Sequence, residues 1–269
     1  MDRGTLSRLE HDNMIATITA GSSNAPGALV RRDGGVVLAL TGLPIRLFNQ
    51  VVVESDEATE AAVETGVTAA RDRGDRFAVN LRLGADDRLV PLMTRLGLVP
   101  LSDDPWMPGM ALHPIPGDRA EPRDRAGEPE QEIRRIADAA GINDHVVTAA
   151  AGFEMPEALL SAIMGPALTA HPDVAVYVGY VDGRPVSTGL GFRTERTIGV
   201  YNIATVPDAR RRGYGAAMTE RIAADGVAAG CDVAILQASP MGLPIYERLG
   251  YRTVVEYMAW VDPEPPAAP

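Results

Sequence analysis

The hydrophobic and polar positions of the chain repeat one order of elements twice. In each half, an alternating segment predicts a strand, a segment of 3.6-residue periodicity predicts a helix, and a short apolar segment predicts a buried strand. The predicted segments are 36–40, 57–73 and 76–81 in the first half and 185–192, 216–229 and 232–237 in the second. This order predicts an α/β (α+β) fold that occurs twice along the chain.

Matching residues at a constant spacing support the repeat. The pairs Phe48-Asn49 and Tyr201-Asn202 are 153 residues apart, and the same spacing separates a proline, an arginine and a Leu-Gly pair in the two halves. These residues are Pro91, Arg95, Leu96 and Gly97 in the first half and Pro244, Arg248, Leu249 and Gly250 in the second. We therefore interpret the chain as two copies of one fold.

Residues 114–130 separate the two copies. Proline, glycine and charged residues replace any apolar period here, which predicts a linker between a first domain at 1–113 and a second domain at 131–262. The proline-rich residues 263–269 predict a short disordered tail.

The second domain opens with two further apolar segments. A helix is predicted from residue 131 by the spacing of Ile133 and Ile136, and a second apolar segment covers 156–167. A strand is predicted at 174–181.

Length and composition bound the class of protein. With 269 residues, 46% hydrophobic and 23% charged, the chain has the composition of a soluble globular protein with room for two cores. A net charge of −11 opposes binding to nucleic acid, because the phosphates would be repelled. No segment approaches the roughly 18 apolar residues of a membrane-spanning helix, so no membrane partner is expected.

The cysteine and histidine residues point to no metal or disulfide chemistry. Cys231 is the only cysteine, which excludes an internal disulfide, and the N-terminus lacks an apolar signal segment, so a cytoplasmic protein is expected. The histidines lack metal-ligand spacing, and no metal is expected. They are His11, His113, His145 and His171.

The segment with the clearest chemistry follows a strand that ends at Val206. Gly213 and Gly215 form a turn before the helix predicted at 216–229, so unpaired main-chain amides at the helix start can hold a pyrophosphate. The helix dipole and the arginines at 210–212 add positive potential. Many unrelated chains contain RxxGxG as an arginine-rich helix start, so its context decides its meaning.

That context resembles a known family. Val206-Pro207, the Arg210-x-x-Gly213-x-Gly215 motif and the downstream Tyr246-Glu-Arg-Leu-Gly250-Tyr251 together resemble the GNAT superfamily of acyl-CoA-dependent N-acyltransferases. The resemblance implies two tandem GNAT-like domains, each a mixed, mostly antiparallel sheet flanked by helices. It also implies acetyl-CoA as the cosubstrate and an acceptor site near residues 143–155.

The resemblance assigns the cofactor contacts residue by residue. The diphosphate is expected on the main-chain amides of Arg211, Arg212, Gly213, Tyr214, Gly215 and Ala216. Arg210 is expected to shape the loop. The strand residues Ala204, Thr205 and Val206 should contact pantetheine, with the amides of Ala204 and Val206 pairing with it. Ser239 stands where relatives place an asparagine that contacts pantetheine.

Tyr246 is the candidate for the catalytic acid. A phenol near the thioester sulfur can protonate the departing thiolate or donate a hydrogen bond to it. On pattern alone, Tyr246 would be a core aromatic beside Leu249 and Tyr251, and the family position favours catalysis.

The sequence identifies no general base. The strand at 200–206 holds no carboxylate, and Glu154 and Asp173 are expected to be solvated surface charges. Asn202 is interpreted as structural, because Asn49 occupies the matching place in the other copy.

The first copy lacks the chemistry of the second. Its segment 54–62 holds four carboxylates and no glycine, which would repel a pyrophosphate, and Met93 stands in place of Tyr246. We therefore expect a degenerate copy that covers the active half or walls its substrate pocket.

The sequence thus predicts a transferase that moves acetyl from acetyl-CoA to a primary amine of a small molecule or peptide, by direct attack in a ternary complex. Transfer of a longer acyl group and a non-catalytic acyl-CoA sensor are the alternatives. A homo-oligomer is compatible with the sequence, which leaves the oligomeric state open.

Overall fold

The computed structural model describes residues 1–103, 107–116 and 131–263. The first half contains α1 (Arg3–Ser22), β1 (Leu29–Asp33), β2 (Val36–Leu40), β3 (Asn49–Val53), α2 (Glu60–Arg73), β4 (Ala78–Arg82), α3 (Val90–Arg95), β5 (Val99–Pro100) and β6 (Gly109–Leu112). Most of the predicted linker and nearly all of the predicted tail lie outside the described residues.

The second half repeats this order behind an additional strand and three helices. It contains β7 (Glu132–Ile136), α4 (Ala139–Phe153), α5 (Glu157–Ile163), α6 (Pro166–Thr169), β8 (Val174–Val181), β9 (Arg184–Thr194), β10 (Thr197–Thr205), α7 (Tyr214–Ala228), β11 (Val233–Gln237), α8 (Leu243–Arg248), β12 (Arg252–Val255) and β13 (Tyr257–Val261).

Two mixed sheets confirm the predicted fold class. The first sheet has the order β1-β2-β3-β4-β13-β5 and the second the order β12-β6-β11-β10-β9-β8-β7. The pairs β3–β4 and β10–β11 are parallel, and the other pairs are antiparallel. Helix α2 packs on the first sheet and α7 on the second.

Each half contributes one strand to the sheet of the other half. Strand β13 pairs with β4 and β5 in the first sheet, and β6 pairs with β11 and β12 in the second. Because β6 precedes the predicted linker and β13 follows it, each sheet is completed by a strand from across the linker.

Helix α1, which the sequence did not predict, packs between the two sheets. Asp2 caps it, its side chain accepting a hydrogen bond from the Thr5 amide at 2.8 Å. The apolar face of α1 joins side chains of both sheets in one cluster. These include Leu9 and Ile15 of the helix, Val37 and Val52 of the first sheet and Val233 and Ile235 of the second.

The helix predicted from residue 131 is wrong, because this segment forms the edge strand β7. The side chains of Ile133 and Ile136 are half-buried, whereas Arg134 is exposed and lies over the Tyr180 ring at 4.5 Å. The helix begins only at Ala139. No helix in the described ranges is long and apolar enough to cross a lipid bilayer.

Candidate active site

A row of free main-chain donors lies at the start of α7. Gly213 precedes the helix with a φ of 80°, and Arg211 also has a positive φ, of 66°. The first helical bond runs from the Ala217 amide to the Gly213 carbonyl at 3.0 Å. Within the described residues, no acceptor lies against the amides of Arg211, Arg212, Gly213, Gly215 and Ala216. Free main-chain donors at a helix start are typical of an anion-binding concavity.

Arg210 holds this loop in place with its side chain. Its guanidinium donates to the Thr205 carbonyl at 3.3 Å and to the Gly152 carbonyl at 2.8 Å. It also pairs with Glu154 at 2.9 Å. These bonds join the loop, the end of β10 and the last turn of α4, so Arg210 shapes the loop as predicted.

The two strands before this loop separate from each other. Strands β10 and β11 pair only from Thr197–Gly199 to Val233–Ile235, whereas β10 continues to Thr205. A bulge interrupts β10 between Tyr201 and Ala204, and Asn202 there has a φ of 50°. The separation leaves one edge of β10 open.

The bulge corrects the predicted pairing of Ala204 and Val206 with pantetheine. The Val206 amide donates to the Val186 carbonyl at 3.0 Å, and Ala204 pairs with Thr188 in the same register. Because main-chain groups alternate in direction along an antiparallel strand, both residues face β9 and Thr205 faces the open edge. The amide of Thr205 is therefore the one available there.

Tyr246 lies on α8, across the gap between the separated strands. Its ring packs over Gly242, where a Cβ atom would lie 2.8 Å from Cε2, and meets the Tyr251 ring edge-on at 6.1 Å. Burial raises the pKa of Tyr246 to about 12, so its hydroxyl stays protonated at neutral pH. Burial alone accounts for this rise, and no hydrogen bond from the described residues contributes to it. Both roles weighed for Tyr246, packing and chemistry, are compatible with this position.

Ser239 lies in the turn before α8 and also faces the gap. Its Oγ accepts a hydrogen bond from the Gly242 amide at 3.2 Å. The hydroxyl hydrogen of Ser239 remains available as a donor to a ligand.

A cavity of about 310 Å³ opens from this gap and is walled by both halves. Residues of the first half on its wall include Met14, Ile18, Leu47, Phe48, Gln50 and Asn80. Residues of the second half include Phe153, Tyr201, Asn202, Ser239, Tyr246 and Tyr257. Phe153 falls within the predicted acceptor segment, whereas the sequence did not predict the contribution of α1.

A buried polar cluster lies behind the cavity wall. The Glu10 carboxylate is fully buried and lies 2.6 Å from the Tyr257 hydroxyl, which lies 2.9 Å from Nδ1 of His11. Gln237 donates to the other Glu10 oxygen at 2.5 Å. Sequence reasoning missed this cluster, because Glu10 and His11 stand beside the polar residues Asp12 and Asn13 and nothing in that local pattern signals their burial.

The corresponding helix start in the first copy is closed. The Thr59 side chain caps α2 by accepting from the Ala62 amide at 3.1 Å, and Glu60 occupies the first turn. The predicted equivalence of Asn49 and Asn202 is wrong, because Asn49 begins β3 and bonds the 41–45 loop while Asn202 sits in the bulge.

Comparisons with known proteins agree with this geometry. Residues 172–253 match the model of the acetyltransferase (GNAT) domain family. No protein of curated function matches the chain in sequence.

Several solved structures share the fold at low sequence identity. A GCN5-related N-acetyltransferase from Kribbella flavida is 21% identical, with a TM-score of 0.67 over 94% of this chain and 95% of that one. A GCN5-related N-acetyltransferase from Sphaerobacter thermophilus is 16% identical, with a TM-score of 0.58 over 86% and 81%. A GCN5-related glucosamine N-acetyltransferase region of a fungal multi-domain β-N-acetylglucosaminidase is 13% identical, with a TM-score of 0.62 over 91% and 34%.

The matched residues contain β8 to α8, the start of α7 and Tyr246. Enzymes of this family are acyltransferases that use acetyl-CoA. At residues 172–253 the chain is therefore similar to the acetyltransferase domain of the GNAT family.

Proposed function

We propose that the protein transfers acetyl from acetyl-CoA to a primary amine, by direct attack in a ternary complex. The observation that carries this proposal is the run of free amides at the start of α7, beside a strand gap that opens into the shared cavity. The cosubstrate would lie along the gap and the amine would enter from the cavity.

The main-chain amides of residues 211–216 would hold the diphosphate, with Gly213 allowing a close approach. The Thr205 amide would bind pantetheine at the open strand edge, and the Ser239 hydroxyl would contact it from the other side.

Tyr246 would stabilise the departing thiolate. A thiol has an ordinary pKa of about 8.5, well below the pKa of about 12 of the buried phenol. Tyr246 would therefore act chiefly by donating a hydrogen bond to the sulfur as the C–S bond breaks.

Thiol release from acetyl-CoA with a panel of amines tests the function. We expect turnover in the wild type and a roughly tenfold to hundredfold lower kcat in Tyr246→Phe, with the acetyl-CoA Kd unchanged. Tight binding of acetyl-CoA without thiol release from any amine would instead identify the alternative, a sensor. Faster release from a longer acyl-CoA would revise the acyl group.

Gly213→Glu tests the anion site separately. A carboxylate against the diphosphate should abolish acetyl-CoA binding in calorimetry while circular dichroism stays native. Gly230→Glu is the matched control, because Gly230 also has a positive φ, of 88°, at the far end of α7. Equal acetyl-CoA affinity in both variants would exclude the diphosphate site at residue 213.

A further inference from the structure

The cavity wall is uncharged although the chain as a whole is strongly acidic. Among the described residues that line it, there is no arginine, lysine, aspartate, glutamate or histidine. Its polar groups are amides and hydroxyls, such as those of Thr17, Gln50, Asn80 and Asn202. A carboxylate or phosphate of an acceptor would find no cation here, and a second ammonium would find no carboxylate on the wall.

Apolar side chains from both halves form most of the remaining wall. Met14, Ile18 and Phe48 come from the first half, and Phe153 and Ile163 from the second. The volume of about 310 Å³ lies at the small end of ligand pockets, which span about 300–1,000 Å³. One ring with a short side chain fits this space better than a long polycation.

We infer that the acceptor is a primary amine on an uncharged, mainly apolar body, such as an arylalkylamine. This inference rests on the proposed acyl transfer. It sets the acceptor apart from polyamines, amino acids and peptide termini, whose further charges the wall leaves unpaired.

Acetylation of 2-phenylethylamine, spermidine and lysine tests the inference. Burial of the phenyl group predicts a kcat/KM for 2-phenylethylamine that is roughly 10- to 100-fold above the other two. Phe48→Ala should raise the KM for 2-phenylethylamine roughly tenfold and leave the KM for acetyl-CoA unchanged. Leu83→Ala is the control, because Leu83 is exposed and lies off the cavity wall.

Equal or better use of spermidine or lysine would overturn the inference while leaving the proposed acyl transfer intact. An unchanged KM in Phe48→Ala would also overturn it. Absence of turnover with every amine would reject the proposed function itself, and the acceptor class with it.

A second inference comes from the proton positions in the buried cluster behind the wall. His11 Nε2 lies 2.8 Å from the Val53 carbonyl, so this nitrogen carries the proton and Nδ1 of the neutral ring is an acceptor. Tyr257 has one hydrogen for two neighbours, His11 and Glu10. When Glu10 holds a proton, it donates to Tyr257, which then donates to His11; when Glu10 is ionised, Tyr257 donates to the Glu10 carboxylate instead.

The surroundings of Glu10 bring its pKa close to neutral pH. Burial raises the pKa of Glu10 to about 7, and the hydrogen bonds from Tyr257 and Gln237 oppose that rise. The titratable groups that face the cluster are His11 on α1 itself, Tyr201 on β10, Tyr257 on β13 and Arg82 on β4, with the acids Asp56 and Asp86 beside Arg82. A group that titrates near neutral pH suits acid–base catalysis.

We propose that Glu10 receives the proton that the acceptor ammonium loses, through the hydroxyl of the cavity-lining Tyr257. The ammonium N–H proton passes to the Tyr257 oxygen as the Tyr257 proton passes to Glu10. The neutral nitrogen then forms the C–N bond as the C–S bond breaks, and its second proton passes to the departing thiolate, so that coenzyme A leaves as the thiol. After product release, the proton on Glu10 returns through the Tyr257 hydroxyl to solvent in the emptied cavity. This step, too, rests on the proposed function.

The pH dependence of kcat/KM in Glu10→Gln and Tyr257→Phe tests the relay. We expect wild-type activity to fall as the pH drops below about 7, and each variant to lose roughly 100-fold in kcat together with that dependence. The double variant should be no slower than either single variant, because both substitutions interrupt the same proton relay. Asp12→Asn, an exposed neighbour on α1, is the control.

Calorimetry separates the relay from a structural role. Both variants should keep the wild-type Kd for acetyl-CoA, since the relay does not touch the cofactor. A Glu10→Gln variant with the wild-type rate and pH profile would overturn the relay and leave the acyl transfer standing. A wild type without turnover would reject both.

Discussion

Two buried ionisable neighbours, Glu10 and His11, oppose each other in their effect on stability. Burial raises the pKa of Glu10 to about 7 from 4.5, so its contribution favours folding below pH 4.5 and is lost as the pH rises to about 7. Burial lowers the pKa of His11 to about 4 from 6.5, so its contribution is lost as the pH falls from 6.5 to 4. The two slopes nearly cancel between pH 4.5 and 6.5.

Replacing Glu10 should reveal the pH dependence that His11 alone gives to the free energy of unfolding. In Glu10→Gln, we expect the free energy of unfolding to rise with pH between 4.5 and 7, relative to wild type, by about 3 kcal/mol in total at 1.36 kcal/mol per pK unit. Urea unfolding at pH 4.5, 5.5, 6.5 and 7.5 measures this difference. Glu64→Gln, on an exposed position of α2, should follow the wild-type curve. A Glu10→Gln curve parallel to that of the wild type would show that Glu10 has the same pKa in the folded and the unfolded protein.

Residues whose role depends on local spacing could be predicted from the sequence. The glycine at 213 and the arginine at 210 act within one turn, and the structure places both as the motif requires. Thr205 could not be singled out, because one bulge between Tyr201 and Ala204 reverses which residues of β10 face the gap. The bulge depends on how β10 pairs with β9, and the residues of β10 alone do not reveal that pairing.

At the scale of elements, α4 and β10 touch at a glycine. A Cβ at Gly152 would lie 2.8 Å from Ala204 Cβ and 3.1 Å from the Thr205 amide nitrogen. The Gly152 carbonyl also accepts the bond from Arg210. The last turn of α4 therefore fixes the strand edge that faces the proposed pantetheine site.

Gly152→Ala should disturb that strand edge, although alanine has a higher helix propensity than glycine. We expect the KM for acetyl-CoA to rise roughly tenfold and stability to fall by about 1 kcal/mol, because the helix and the strand must move apart. Steady-state kinetics and urea unfolding measure the two effects. Gly4→Ala, in the exposed first turn of α1, should be neutral or slightly stabilising. Unchanged kinetics in Gly152→Ala would show that the helix can shift without moving Thr205.

Elements with a regular apolar period were predictable, and α1 and β7 illustrate why others were not. Helix α1 was missed because Glu10, His11 and Asn13 interrupt its apolar stripe, and their burial is favoured by partners far away in the chain. Strand β7 was predicted as a helix because the i, i+3 spacing of Ile133 and Ile136 fits the helical period; in the strand, the same spacing puts the two half-buried side chains on opposite faces.

At the scale of the whole molecule, the exchanged strands join the two halves. Strand β6 lies between β11 and β12, and β13 lies between β4 and β5. Their apolar sequences would fit either sheet, so the repeat predicts two copies but does not reveal which sheet each strand joins. The exchange places the first half, which lacks the anion site, against the cavity of the second.

Removing residues 1–125 should therefore leave a fragment that does not fold. The second sheet would lose β6 from its interior and the apolar face of α1 from its surface, exposing Val233, Ile235 and Val254. A full-length protein cut by a protease at a site placed within 117–130 is the matched control, since both sheets stay complete. We expect the cut halves to elute together and bind acetyl-CoA, and the 126–269 fragment to aggregate. A soluble, fully active fragment would show that β10, β11 and α7 form the site without the first half, and that the shared cavity is dispensable for the reaction.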